Sequence, residues 1–127
     1  MKVLIIDDDA DIRFIAALSL GRVGGMEVIE ASSGAEGVRR AHDEQPDLIL
    51  LDMMMPMMDG SQTLAALRAQ PATANTPVIF LTAKAVEAEV TRMKALGAAG
   101  VLIKPFDPRT LSAEVCALLK STGRVQL

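Results

Sequence analysis

Short apolar runs alternate along the chain with longer segments in which apolar residues recur at helical spacing. The runs lie at residues 3–6, 28–29, 48–51, 78–81 and 101–103. Continuous runs of this kind, rich in branched side chains, are typical of strands that are covered on both faces. Because helical segments follow each run in strict alternation, the pattern predicts a five-stranded parallel sheet with five helices packed on both faces.

Capping residues mark several of the predicted helix ends. The first helix is expected to span apolar positions 12–23 and to end at the two glycines that follow. Ser33 and Glu36 form a candidate capping box at the start of the second helix. Asp107 and Pro108 supply an N-cap and a first-turn proline for the last helix. That helix is expected to turn three residues inward, namely Leu111, Val115 and Leu118.

Composition narrows the class of protein. The 127 residues are enough for one domain with one hydrophobic core. A net charge of −3 without a basic tract argues against direct nucleic-acid binding. The only cysteine, Cys116, excludes an internal disulfide bond and fits a reducing compartment. Three aspartates interrupt the first apolar run, so it is too short for a signal peptide or a membrane span. We therefore expect a cytoplasmic protein that does not contact membranes.

Polar residues follow four of the five predicted strands at the point where each strand ends. In open parallel sheets, ligands bind at this carboxyl edge. The residues that the pattern brings to that edge are Asp7, Asp8 and Asp9 after the first strand, Asp52 after the third, Thr82 after the fourth and Lys104 after the fifth.

This set of side chains suits phosphoryl chemistry. Clustered carboxylates repel one another unless a hard cation neutralises them, and oxygen ligands favour Mg²⁺. A carboxylate such as that of Asp52 can be the nucleophile that forms an aspartyl phosphate. The ammonium of Lys104 and the hydroxyl of Thr82 would then stabilise charge on the transferring phosphoryl oxygens.

Five segments in their order and spacing resemble the receiver domains of two-component response regulators, the CheY-like family. The segments are residues 4–9, 51–56, 58–60, 81–83 and 104–106, and the resemblance covers essentially the whole chain. It implies a doubly wound, flavodoxin-like sheet in the strand order 2-1-3-4-5. It also implies a receiver domain over residues 1–120, followed by a short tail at residues 121–127.

The resemblance implies a Mg²⁺ site built around the phosphoacceptor, which would be Asp52. Asp8 and Asp52 would bind the ion through their carboxylates, and Asp7 mainly through water. Met54 would contribute its backbone carbonyl. Of the three adjacent aspartates, Asp9 is the one most expected to serve only as a helix cap.

Thr82 and Lys104 would contact the phosphoryl group, and the Lys104–Pro105 peptide is similar to the cis peptide with which the family aims its lysine. The implied donor is a histidine kinase or a histidine phosphotransfer protein, and the output partner is unspecified. The domain would catalyse only its own phosphorylation and dephosphorylation, so it is not expected to be a turnover enzyme.

One position departs from the family pattern, because Val101 stands where receivers usually carry tyrosine or phenylalanine. Without that aromatic relay, we expect phosphorylation to be transmitted through residues 82–87 and the face formed by the fourth helix, the fifth strand and the fifth helix. The departure also leaves open a degenerate receiver that acts only as a docking module.

A further alternative is an aspartate-nucleophile phosphatase, because Asp7 and Asp9 are spaced as in that chemistry. The glycine that usually follows is missing, and the chain leaves no room for a substrate cap. The methionine-rich loop at residues 53–58 is interpreted as core filling and an adaptable partner surface rather than a soft-metal site. Because Met1 lies directly before the first strand, we expect a stand-alone regulator or the excised front of a longer one.

Overall fold

The computed structural model describes residues 1–83 and 86–121, and within them it contains one sheet of five parallel strands. The strands are β1 (Lys2–Ile6), β2 (Glu27–Ala31), β3 (Leu48–Asp52), β4 (Val78–Thr82) and β5 (Gly100–Ile103). Their order across the sheet is β2-β1-β3-β4-β5. This confirms the predicted fold class and strand order.

Helices connect the strands and cover both faces of the sheet. They are α1 (Ala10–Leu18), which continues as a π-helical turn (Ser19–Val23), α2 (Gly34–Glu44), α3 (Gly60–Ala69), α4 (Glu87–Ala95) and α5 (Leu111–Ser121). Two parts of the predictions, residues 84–85 of the output loop and residues 122–127 of the tail, lie outside the described residues. Among the helices that the structure describes, none is long and apolar enough to cross a membrane.

The core has two layers separated by the sheet. Side chains of α2, α3 and α4 pack on one face, and those of α1 and α5 pack on the other. All five residues of β3 and all five of β4 are buried, as expected for central strands covered on both faces. The hydrophobic layers therefore hold the carboxyl ends of these strands in fixed register, at the edge where the predicted polar residues lie.

The first helix differs from its prediction because it does not continue as a regular α-helix. The π-helical turn begins at Ser19, which is buried and donates its hydroxyl to the carbonyl oxygen of Pro108. A π-turn winds more widely than an α-turn, which shifts the residues that follow it around the helix axis. As a result Leu20 remains buried, whereas Val23 is 62% exposed.

The last helix begins later than predicted. The Asp107 carboxylate accepts a hydrogen bond from the amide of Arg109, so Asp107 caps a turn that precedes α5. The helix itself starts at Leu111, and its inward residues are Leu111, Val115 and Leu119. Leu118, also predicted to face inward, is partly buried: it packs against the core layer of α1 and α5 and lies over Gly100 of β5.

The start of α2 follows half of the predicted capping box. The Ser33 hydroxyl accepts from the amide of Glu36 at 3.2 Å, as predicted. The Glu36 carboxylate accepts from the amide of Ser32 at 2.6 Å, one residue earlier than in a regular capping box. Both residues therefore cap the helix, but Glu36 binds the amide of Ser32 instead of that of Ser33.

Candidate functional site

The carboxyl ends of β1, β3, β4 and β5 bring together most of the polar residues singled out in the sequence. Asp7 directly follows β1, Asp52 and Thr82 are the last residues of β3 and β4, and Lys104 follows β5. Asp7, Asp52 and Thr82 are buried, whereas Asp8 is exposed. These strand-end residues, three of them buried and Asp8 exposed, are called the pocket below.

Three carboxylates form one cluster at this edge. One oxygen each from Asp7, Asp8 and Asp52 lies within 4.8 Å of the others. Asp9 lies outside this cluster and is the N-cap of α1, where its carboxylate accepts from the amide of Asp11 at 2.9 Å. The expectation that Asp9 acts as a cap is confirmed.

Lys104 bridges two of the clustered carboxylates. Its Nζ lies 2.6 Å from Oδ2 of Asp7 and 3.2 Å from Oδ1 of Asp52. The Lys104–Pro105 peptide is cis. Because the ammonium lies between the two acids, it offsets part of their mutual repulsion and has its charge beside the Asp52 carboxylate.

The charges of the pocket act on one another strongly. Burial, together with the nearby charge of Asp7, raises the pKa of Asp52 from 3.8 to about 6, and Lys104 only partly opposes this. The pKa of Lys104 is raised as well: burial by itself would lower it, but contacts with Asp7 and Asp52 outweigh that effect. At neutral pH the pocket therefore holds carboxylates that the surrounding protein only partly stabilises.

The donor set fits a hard divalent cation. Oδ2 of Asp7 is buried and lies 2.6 Å from the Lys104 ammonium, which also lies 3.2 Å from Oδ1 of Asp52. One ammonium cannot neutralise three clustered carboxylates, so a further cation at this cluster would be stabilising. With Asp8 and Asp52 adding further carboxylate oxygens, the cluster could hold a metal ion of the Mg²⁺ type.

Thr82 and Met54 lie next to Asp52. Leu81 pairs with Asp52 across the sheet, which places Thr82 immediately beyond the end of β3. The Thr82 carbonyl accepts from the amide of Lys104 at 2.7 Å, so the two residues share one main-chain link. The amide of Met54 donates to Oδ1 of Asp52 at 3.2 Å. This hydrogen bond was not predicted, because the sequence suggested a role only for the Met54 carbonyl.

The methionine-rich loop divides between the core and the surface. Met53 and Met55 are buried, whereas Met54 is 77% exposed and Met57 is fully exposed. Met57 has a left-handed backbone (φ 68°), an uncommon conformation for a residue other than glycine. This distribution agrees with the predicted combination of core filling and an exposed methionine surface beside the pocket.

The sequence did not reveal a role for Arg13, which contacts the main chain of Asp7. Its Nη1 donates to the main-chain carbonyl of Asp7 at 2.8 Å, and its Nε lies 3.3 Å from the carboxylate of Glu30. The only signal in the sequence is an arginine beside the apolar positions of α1. That signal does not reveal a contact with a backbone carbonyl.

The sequence profile described as "Response regulator receiver domain" matches residues 3–116. The chain belongs to the response regulator receiver domain family. The match includes every strand-end residue of the pocket, from Asp7 to Lys104.

Named relatives are transcriptional regulators. The receiver domain is 40% identical over 119 residues to the alkaline phosphatase synthesis transcriptional regulatory protein PhoP of Bacillus subtilis, covering 94% of this chain and 48% of that protein. It is 42% identical over 124 residues to the transcriptional regulatory protein PrrA of Mycobacterium tuberculosis, covering 96% and 51% respectively. The chain thus spans about half the length of the curated relatives it matches.

Solved receiver structures share the fold over their whole length. The chemotaxis response regulator CheY4 of Vibrio cholerae superposes with a TM-score of 0.85 at 36% identity, covering 93% of this chain and 98% of that one. The receiver domain of the Francisella response regulator 1452 gives a TM-score of 0.79 at 34% identity, covering 95% and 98%. The family profile and these structures agree that the chain is a receiver domain of two-component response regulators.

Proposed function

We propose that this receiver domain accepts a phosphoryl group on Asp52 from a histidine kinase or a histidine phosphotransfer protein, and that the resulting aspartyl phosphate switches its interaction with an output partner. The observation that carries this proposal is the position of Asp52. It is buried at the end of the central strand β3, adjoins Asp7 and Asp8, and lies 3.2 Å from the Lys104 ammonium.

The transfer step requires an ionised nucleophile. A carboxylate oxygen of Asp52 attacks the phosphorus, and the bond from phosphorus to the donor nitrogen breaks with its electron pair remaining on the donor imidazole. Because the pKa of Asp52 is about 6, the carboxylate is ionised at neutral pH and available for attack. Below that pH a growing fraction of the protein carries a protonated, unreactive Asp52.

Lys104 and Thr82 are proposed to stabilise the phosphoryl oxygens. The Lys104 ammonium already lies beside Asp52, so the phosphoryl group would meet a positive charge as soon as it bonds to that residue. The hydroxyl-bearing residue Thr82 borders the same edge of the sheet, one residue beyond the partner of Asp52. Both residues act by positioned charge and hydrogen bonding, which is the main form of catalysis in phosphoryl transfer.

We also propose that Asp7, Asp8, Asp52 and the Met54 carbonyl hold Mg²⁺ in this pocket. When bound, Mg²⁺ supplies positive charge that offsets the negative charge of the phosphoryl oxygens. The support for this ion is the cluster of three carboxylates, of which Asp7 and Asp52 are buried and share the single ammonium of Lys104. The proposed domain covers residues 1–120, with residues 121–127 as its tail.

Phosphorylation of the intact protein by a small acyl phosphate and Mg²⁺, measured by intact mass, tests this function. The wild-type chain should gain the mass of one phosphoryl group, and Asp52→Asn should gain none. Asp43→Asn is a matched control, because Asp43 is exposed on α2 outside the carboxylate cluster and its variant should still be phosphorylated. An undiminished mass gain in Asp52→Asn would falsify the assignment.

A further inference from the structure

Arg13 connects three elements beneath the pocket. It lies on α1, but its Nη1 donates to the main-chain carbonyl oxygen of Asp7 at the end of β1, over 2.8 Å. Its Nε lies 3.3 Å from a carboxylate oxygen of Glu30 on β2. The side chain is only 18% exposed, and charged side chains are seldom this buried unless they are paired.

The hydrogen bond to Asp7 fixes a peptide unit rather than a side chain. A carbonyl group is coplanar with the amide that follows it, so holding the Asp7 carbonyl also sets the orientation of the Asp7–Asp8 peptide. The amide of Asp7 is held separately, because it donates to the carbonyl of Ala31 at 3.1 Å. Its carboxylate accepts from the amide of Asp9 at 2.9 Å. The hydrogen bond from Arg13 is therefore one of three contacts that hold Asp7, and it is the one that fixes the orientation of the Asp7–Asp8 peptide.

Asp8 depends on this anchoring more than its neighbours do. Asp7 and Asp52 are buried and each is in contact with Lys104, whereas Asp8 is exposed. Rotation of the Asp7–Asp8 peptide would carry the Asp8 carboxylate away from the cluster without disturbing the core. Two contacts resist this rotation: the hydrogen bond from Arg13 holds the peptide before Asp8, and the hydrogen bond from the Asp9 amide to Oδ1 of Asp7 holds the peptide after it.

We propose that Arg13 is a positioning residue for the cation site: it holds the Asp7–Asp8 peptide so that the Asp8 carboxylate remains beside Asp7 and Asp52. Glu30 supports this role, because its carboxylate balances the guanidinium charge from the β2 side. The proposal rests on the proposed function, since it concerns Mg²⁺ bound by the same three aspartates.

Electrostatics and positioning predict opposite results for Arg13→Gln. The variant lacks a positive charge close to three carboxylates, and the charge effect alone would make Mg²⁺ bind more tightly. Loss of the hydrogen bond to Asp7 should instead weaken binding, because Asp8 is no longer held in place. We expect the Mg²⁺ Kd to rise about tenfold, the lower end of the range for residues that orient metal ligands.

The experiment titrates MgCl₂ into the wild-type and variant chains and follows the amide chemical shifts of residues 8, 9 and 53. Arg22→Gln is the matched control, because Arg22 is exposed on the π-helical turn and its removal changes the net charge by the same amount. Its Kd should stay within about twofold of the wild-type value, well short of the tenfold rise expected for Arg13→Gln. Equal or tighter binding by Arg13→Gln would overturn the proposal.

A purely structural role is distinguished by thermal unfolding without Mg²⁺ in the same buffer. If Arg13→Gln lowers the Tm of the metal-free protein but leaves the Kd unchanged, Arg13 only stabilises the fold and the proposal is wrong. If Arg13→Gln does not fold, Arg13→Lys replaces it, since lysine keeps the charge but cannot reach both the Asp7 carbonyl and Glu30 as a planar guanidinium does. A wild-type Kd in Arg13→Lys then overturns the proposal, and a raised Kd supports it.

Failure of this inference is separable from failure of the proposed function. A wild-type chain that shows no Mg²⁺-dependent shift changes at residues 8, 9 and 53 would contradict the Mg²⁺ site itself, and the role of Arg13 with it. If the wild-type chain and Arg13→Gln both bind Mg²⁺ with the same Kd, only the positioning role is contradicted.

Discussion

Asp52 combines burial with nearby like charge, and the consequence is a raised pKa. Its pKa increases from 3.8 to about 6 because the carboxylate is buried and Asp7 lies close to it. The folded protein therefore binds this proton more tightly than the unfolded chain does. The stabilisation that results is fully present below about pH 3.8 and is lost as the pH rises through about 6.

Asp52→Asn should therefore be more stable than the wild-type protein above pH 6, and the difference should vanish near pH 4. Asparagine has no charge to bury at any pH, so the variant escapes the unfavourable ionisation. A shift of about two pKa units corresponds to at most about 3 kcal/mol. Urea unfolding in metal-free buffer, above pH 6 and near pH 4, measures the difference in free energy of unfolding between the variant and the wild-type protein. A gain that is equal at both would show that ionisation of Asp52 is not its cause.

Asp8→Ala should remove most of the Mg²⁺-dependent rise in Tm. For the wild-type chain, a hundredfold excess of ion over the Kd should stabilise the native state by roughly 2.7 kcal/mol. Because Asp8 is exposed, its loss should leave the metal-free Tm nearly unchanged. Differential scanning calorimetry with and without MgCl₂ measures both effects, with Asp43→Ala as the control. Retention of the full rise in Asp8→Ala would place the ion elsewhere.

At the scale of residues, the sequence predicted the pocket where side chains follow strand ends. Asp7, Asp52, Thr82 and Lys104 could be found because parallel strands align their carboxyl ends at one edge. Arg13 could not be found in this way. Its partner is a main-chain carbonyl, and no residue type in the sequence records the direction of that carbonyl.

Among the structural elements, α3 is joined at its first residues to the segment that follows β3. The carboxylate of its N-cap, Asp59, accepts a hydrogen bond from the amide of Gln62 at 2.9 Å. The side-chain oxygen of Gln62 in turn accepts one from the amide of Asp59. Its first residue, Gly60, donates to the carbonyl of Met53 at 3.0 Å. The helix therefore starts in direct contact with the loop that leaves Asp52.

Gly60→Ala should destabilise the protein and slow phosphorylation together. A Cβ at this position would lie 2.7 Å from the carbonyl oxygen of Asp52 and 2.7 Å from Cα of Met53. These are backbone atoms that cannot move without displacing Asp52. We therefore expect the free energy of unfolding to fall by about 1–3 kcal/mol. Chemical denaturation and the rate of mass gain with the acyl phosphate measure the two effects.

Gly21→Ala is the control for Gly60→Ala, because a Cβ there would meet nothing closer than 3.7 Å. It should leave stability the same or slightly higher, since alanine favours helix more than glycine does. Normal phosphorylation by a folded Gly60→Ala protein would show that the α3 junction does not position Asp52.

Helices were predicted correctly where the signal was local, and incorrectly where a distant contact determines the geometry. The Ser33 cap of α2 follows from adjacent residues, and it is present. The π-helical turn after α1 coincides with a hydrogen bond from Ser19 to Pro108, which is 89 positions away in the chain. Pro108, which accepts that hydrogen bond, lies in a separate turn that precedes the start of α5 at Leu111. No periodicity in the sequence encodes such a contact.

For the whole molecule, transmission of phosphorylation to a partner depends on what surrounds Val101. Val101 lies on the edge strand β5 and is partly buried against the layer that contains Phe80 and Met93. A cavity of about 610 Å³ extends along this edge between β5 and α5, and its lining includes Val101, Ile103 and Leu118. The space beside β5 is therefore lined mainly by apolar side chains, with Asp107 and Glu114 as its acidic residues.

We expect phosphorylation to be transmitted by movement of the segment after β4, without rotation of a ring. Thr82 is the last residue of β4, and any pull on it by a phosphoryl group acts directly on residues 83–90, of which 84 and 85 lie outside the described residues. Val101 is short and its first side-chain torsion is strongly restricted, so it cannot sweep the volume of a tyrosine or phenylalanine. The two states should then differ mainly in the position of this segment.

Amide hydrogen exchange with and without the acyl phosphate and Mg²⁺ tests this route, with Asp52→Asn as the unphosphorylated control. Exchange should change mainly in residues 82–90 and little in α1 and α2. Because a ligand shifts a conformational equilibrium only by its differential affinity for the two states, the change is expected to be modest. Val101→Phe should leave the location of these changes unaltered if the segment moves independently of position 101. Exchange that changes only in α1 and α2 would contradict this route and point to an output surface away from α4, β5 and α5.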